Sequence, residues 1–125
     1  MAATSVFSTD AEMLAMAGEL VDATGFSDAN KTAWGLQAEN YLSMLCNYDL
    51  TTNWAALTAH FKLILSEYVA RYVACSAIMF NMATVGAVFS SLIEPEDMVQ
   101  FHVYRMEAIE ELLKKGENLA TLGVK

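Results

Sequence analysis

Apolar residues recur at helical steps of three and four through most of this chain, and the pattern predicts an all-α fold. The first helix signal is Thr9 with Glu12 three positions on, the spacing at which each side chain can satisfy the other's orphan backbone N–H, and a short helix runs from there over Asp10 to Ala17. Gly18 and Gly25 break any longer period, so 19–26 reads as a loop or an extended arm. A second helix opens at Ser27 or Asp28 and runs to about Tyr48, with Trp34, Ala38, Tyr41, Leu45 and Tyr48 as its buried face. The stretch 49–52 (DLTT) is a short connection, with a new N-cap at Thr51 or Thr52 ahead of Trp54.

The strongest period belongs to Leu57, Phe61, Ile64, Tyr68, Tyr72, Cys75, Met79 and Met82, which predicts a third helix over most of 53–82. It would be roughly 45 Å long and antiparallel to the second. Residues 84–93 (TVGAVFSSLI) read as a loop or apolar arm. A fourth helix starts at Pro95, runs through Met98, Phe101, Val103, Ile109 and Leu112 to Lys114 and Lys115, and stops at Gly116. The tail keeps Leu119, Leu122 and Val124, enough to dock. The expectation is a small helical bundle of about four helices with a long antiparallel pair, a loop arm and a C-terminal tail. It forms one domain, 1–125, made of an N-terminal segment 1–26, a helical core 28–115 and a tail 116–125.

Composition turns this fold into a question about what covers it. The chain is 55% hydrophobic and 18% charged, with one Pro and a mean hydropathy of +0.32. That is more apolar surface than a small domain easily hides, and a bilayer, a partner or further copies could cover the remainder. The net charge of -8 disfavours binding to nucleic-acid phosphates, which need clustered Lys and Arg. The 22 uncharged residues 72–93 are long enough for a membrane span, but half of them continue an amphipathic period, Asn81 interrupts them, and no basic cluster flanks them. No secretory signal is read at the N-terminus, and folding in the cytoplasm is expected.

The sequence holds little that suggests chemistry. His60 and His102 lack a Glu three positions before them, Cys46 and Cys75 form no CxxC, and no GxSxG, Walker A or GxGxxG pattern occurs. No catalytic, cofactor-binding or metal-binding residue is expected, and no enzyme activity. Glu94, Glu96 and Asp97 are explained by their place at a helix start. Arg71 and Arg105 sit within apolar stretches and should each pair with a carboxylate, Glu67 being one turn before Arg71; the pairing can lie within the chain or between subunits.

The segments TAWGLQAENYL (32–42), YDLTTNWAAL (48–57), SEYVARY (66–72) and IEPEDMVQFHVYRMEAIEELL (93–113) together resemble the small all-helical head-to-tail adaptor, or head completion, proteins of tailed bacteriophages. The resemblance covers roughly Thr32 to Leu113; the uncharged 83–92 stretch departs from it, because a shorter loop with a basic residue is the family's pattern. It implies a virion protein, assembled in the host cytoplasm, that forms a homo-oligomeric ring, commonly a dodecamer, beneath the portal protein and joins it to tail or stopper proteins. DNA would pass through the lumen without sequence-specific binding, and no membrane would be involved. The arm would be Ala83 to Ile93 and the tail Glu117 to Lys125. Interface residues expected on this basis are Trp54, Arg71, Phe89, Leu92, Arg105, Leu119 and Leu122. The competing readings are a holin-like membrane protein and a stand-alone helical interaction module.

Overall fold

A computed structural model describes residues 7–17, 27–85 and 95–124, and these form an all-α bundle with no strand among them. Its helices are α1 (Asp10–Ala17), α2 (Asp28–Cys46), α3 (Leu63–Val85), α4 (Pro95–Leu113) and α5 (Gly116–Leu122), with one 3-10 turn at Trp54–Ala56. The start signals act as the sequence implies. The Thr9 N–H donates to Glu12 Oε1 at 2.8 Å while the Glu12 N–H donates to Thr9 Oγ1 at 3.2 Å. Ser27 caps α2 by accepting from the Asn30 N–H at 3.2 Å. That helix stops two residues before Tyr48 because Asn47 turns left-handed at φ 54°, a conformation Asn tolerates better than most side chains.

α3 is the axis of the fold, with α1, α2 and α4 all packed on it. Its buried residues, among them Leu65, Ser66, Val69, Ala70, Val73, Ala77 and Ile78, circle the helix and do not form one stripe. A helix apolar on most sides is one that sits inside. Stacking of Tyr41 on Tyr68 and the Tyr72 to Gln37 hydrogen bond make α2 and α3 antiparallel, as expected. Pairing of Glu67 with Arg105, and of Cys75 Sγ with the Val99 carbonyl, makes α4 antiparallel to α3 as well. The apolar window Leu63–Phe80, mean hydropathy 1.4, is long and apolar enough to cross a membrane, yet 56% of it is buried inside the bundle.

The long third helix expected over 53–82 is corrected: α3 begins at Leu63 and extends to Val85. Leu57 leaves the 3-10 turn in extended backbone (ψ 155°), and the Thr58 N–H donates to the Leu122 carbonyl at 2.8 Å. A tertiary partner thus takes a donor that a continuous helix would have used locally. The tail is itself helical. Gly116 opens α5 where a stop was expected, the Asn118 side chain closes the end of α4 by donating to the Leu112 carbonyl at 2.8 Å, and Leu122 is buried against the core. At Gly123 (φ 104°) a Cβ would lie 3.4 Å from Leu57 Cα and Thr58 N, so the chain closes on the 57–58 corner at a residue without a side chain. Of the loop expected at 84–93, Thr84 and Val85 are helical and the rest lies outside the described residues, as does 18–26.

The expected buried faces also shift. On α2 the buried side is Lys31, Gly35, Ala38, Glu39, Leu42 and Cys46, while Tyr41 is exposed and Trp34, Leu45 and Tyr48 are half-buried. On α4 it is His102, Met106, Ile109 and Leu113, leaving Phe101, Val103 and Leu112 outside. Met79 and Phe61 are likewise exposed. Cys46 and Cys75 are free and buried, and burial pushes both thiols up, Cys75 to about 11. At neutral pH they are inert protonated thiols.

Candidate functional site

Polar chemistry in the bundle concentrates where α1, α3 and α4 meet. Glu67 receives the Arg71 Nε at 2.7 Å from the same helix and the Arg105 Nε and Nη2 at 2.7 and 3.0 Å from α4. The expectation that both arginines find a carboxylate therefore holds, and it is one carboxylate, within one chain. The two guanidinium groups, with their hydrogen bonds leading, hold the Glu67 carboxyl below its ordinary value. Arg71 also lies over the Phe101 ring, 5.3 Å from its centroid.

From Arg71 the network continues inward. Its Nη1 lies 2.8 Å from His102 Nδ1, and His102 Nε2 lies 2.9 Å from the Met16 carbonyl. Because a guanidinium only donates and a carbonyl only accepts, these partners assign the tautomer with the proton on Nε2. Met16 stands in the last turn of α1, so His102 satisfies one of that helix's orphan carbonyls. With both ring nitrogens engaged, His102 is placed to tie three helices together.

That role has a pH signature. Burial, reinforced by the charge of Arg71, pushes the His102 pKa below its ordinary 6.5 against the opposing pull of the Met16 carbonyl. Below pH 6.5 the unfolded chain takes up a proton that the folded chain resists, so stability is full above that value and falls as the pH drops. Urea midpoints measured from pH 7.5 to 5 should decline in the wild type and decline less in His102→Gln; parallel curves would exclude His102 as the titrating group.

A second cluster joins α2, α3 and α4. Glu110 accepts from the Tyr68 hydroxyl at 2.7 Å and from the Tyr41 hydroxyl at 3.3 Å. Burial first, then the Glu110 carboxylate, pushes the Tyr68 hydroxyl far up, and Tyr41 moves the same way. Both phenols therefore stay protonated donors. Glu39, fully buried, accepts from Thr51 Oγ1 at 3.0 Å, which fastens α2 to the 49–53 corner. Among the described residues no group of three or more His, Cys, Asp or Glu is arranged to hold a metal ion.

The residues expected at an interface part company in the structure. Trp54 stacks on Phe7 with centroids 4.3 Å apart, carries the Lys62 ammonium 4.7 Å from its own centroid, and is half-buried against the core. Arg71 and Arg105 are the two arms of the Glu67 network. Leu119 packs on the core, and Leu122, at 4% exposure, is part of it. Phe89 and Leu92 lie outside the described residues.

What sequence reasoning missed is the set of large apolar side chains that the bundle leaves outside. Leu36, Tyr41 and Met44 stand out from α2, and Phe101, Val103 and Tyr104 from α4, with Met44 82% and Tyr104 73% exposed. On α2 two stripes of equal period compete, and the aromatic one gives the stronger signal although the smaller one is buried. An apolar groove of about 180 Å³ lies where Phe61, Ile64, Leu112 and Leu122 meet. Asn118 and Thr121 at its edge spend their polar groups on the Leu112 and Glu117 carbonyls. No family model, curated protein or solved structure matches the chain.

Proposed function

We propose that this chain is a structural subunit of a larger assembly, and that its finer role is the one its sequence segments resemble: a head-to-tail adaptor in the neck of a tailed bacteriophage. In that role a ring of copies would seat beneath the portal protein, extend the DNA channel and receive tail or stopper proteins. The observation that carries the reading is the exposure of Leu36, Tyr41, Met44, Phe101 and Tyr104 on helices whose opposite faces already fill the core. Apolar surface of this kind is where chains associate. The polar groups that could have suggested chemistry are instead committed to one another, as Glu67, Arg71, His102 and Arg105 are. An acidic chain is also suited to line a channel through which DNA slides without adhering.

The membrane alternative rests on the Leu63–Phe80 window. The buried part of that helix could meet lipid only if α1, α2 and α4 came away from it, and the ion pair on Glu67 and the buried Val69, Val73 and Ile78 oppose that. The deciding experiment is the mass of the purified chain in detergent-free buffer, alone and mixed with portal complex from the same source. Soluble protein that joins the portal as a multi-copy ring is the expected result. Dependence on detergent, or a soluble chain that ignores the portal, would overturn the adaptor role.

A further inference from the structure

Among the described residues, the network around His102 holds more cations than anions. Glu67 is its carboxylate and already serves two guanidinium groups, Arg71 and Arg105, each with Nε at 2.7 Å. His102 completes the network only as a neutral ring, with Nδ1 accepting from Arg71 Nη1 and Nε2 donating to the Met16 carbonyl. A proton added at Nδ1 removes the acceptor that faces Arg71 and leaves two cations, both donors, 2.8 Å apart. The ionisable groups on the elements packed around the ring offer it no counter-charge. Arg71 and Arg105 repel it, Glu67 is occupied by them, Cys75 is a protonated thiol, and Glu12 of α1 accepts from the Thr9 N–H. Among the described residues, α2 and α5 bring no hydrogen bond or ion pair to His102.

We propose that α1 is an acid-released clasp on α3: protonation of His102 parts its ring from Arg71, and the ring, in turning out, lets go of α1. Arg71 is the partner that cannot yield, because its Nε is fixed on Glu67 and its guanidinium lies over the Phe101 ring. The buried imidazolium reaches water only by leaving its place, and Nε2 then leaves the Met16 carbonyl. α1 is eight residues long, too short to stay helical undocked, and the buried Met13 and Ala17 come away with it. α2 and α4 keep their own ties to α3 through Tyr72 with Gln37, Tyr68 with Glu110 and Arg105 with Glu67. Acid therefore bares the apolar surface of α3 that α1 covers, while the rest of the bundle holds.

With α1 released, His102 takes up its proton at the ordinary value of 6.5; with α1 docked, burial first and then the charge of Arg71 hold it lower, against the pull of the Met16 carbonyl. Docking is undisturbed above pH 6.5 and weakens as the pH falls below it, so the released population should rise on the order of tenfold between pH 7.5 and 5. Glu67 titrates below its ordinary 4.5, so its pairs with Arg71 and Arg105 persist through that window and the clasp opens first.

The test is amide hydrogen exchange on the full chain at pH 7.5, 6 and 5, corrected for the intrinsic pH dependence of exchange, in the wild type, His102→Gln and Arg71→Gln. Protection of the α1 amides should fall about tenfold across that range while those of α2 and the centre of α3 change much less. His102→Gln keeps one donor and one acceptor but cannot take up the proton, and its α1 protection should stay flat. Arg71→Gln removes the opposing cation and should shrink the acid response, which keeps the proposal testable if His102→Gln does not fold. An α1 that loses protection in step with the rest of the bundle, or equally in His102→Gln, overturns the clasp. So does an acid response unchanged in Arg71→Gln.

Discussion

Glu67→Ala is expected to lower the unfolding free energy by about 2 to 3 kcal/mol, a little under the range for breaking a buried ion pair. The reduction reflects the 20% exposure of the Glu67 side chain. Two cations lose their common anion, but unequally. Arg105 is 48% exposed and can turn to water, and an exposed pair contributes about 0.2 to 1 kcal/mol. Arg71 is 11% exposed and would remain held beside His102 and Phe101 without a counter-charge. Most of the loss should therefore trace to Arg71, and Arg105→Ala should be much milder than Glu67→Ala. The acid limb changes too. The folded Glu67 carboxyl titrates below its ordinary 4.5, so its contribution is present above that value and disappears as the pH falls through the lower folded value. Urea titration of the two variants at neutral and acidic pH measures both effects, and an Arg105→Ala as damaging as Glu67→Ala would show that the inward arm of the network carries no weight.

Leu122→Ala should cost about 2 to 4 kcal/mol, as for other large-to-small changes in a packed core. The side chain is 4% exposed and closes the bundle against Leu57, Leu65 and Leu113. The damage should spread along the chain. α5 is only seven residues long, too short to persist as a helix undocked, and its Leu122 carbonyl is what holds the Thr58 N–H at the start of the third-helix region. Faster proteolysis around 114–117 should accompany a lower urea midpoint and some loss of helical signal. An unchanged midpoint with weakened assembly would instead return Leu122 to an interface.

Helix starts were the most legible part of the sequence. The Thr9–Glu12 box, the Ser27 cap and Pro95 at the head of α4 all work through groups within three or four residues, so local spacing is enough to identify them. A helix start that depends on distant partners was not legible: α3 begins at Leu63, after residues 57–58 that are held by the C-terminal helix, some 60 positions away. The candidate site shows the same division. Glu67 and Arg71 are one turn apart and could be paired by inspection, whereas the Arg105 contact, the His102 bridge to Met16 and the burial of Leu122 join segments whose approach no spacing reveals.

Periodicity, capping and composition are properties of neighbouring residues. They are enough to make this protein helical, to place the start of most of its helices, and to give it more apolar content than one small bundle readily conceals. Which stripe of each helix faces inward depends on how the helices meet. On α2 the predicted stripe and the buried stripe of Gly35, Ala38, Leu42 and Cys46 share Ala38 and the same period, and packing on α3 centred the buried side on the smaller residues, with Trp34 and Leu45 half-buried beside it. That selection, made by packing alone, left Leu36, Tyr41 and Met44 on the outside of the helix, where another chain can reach them.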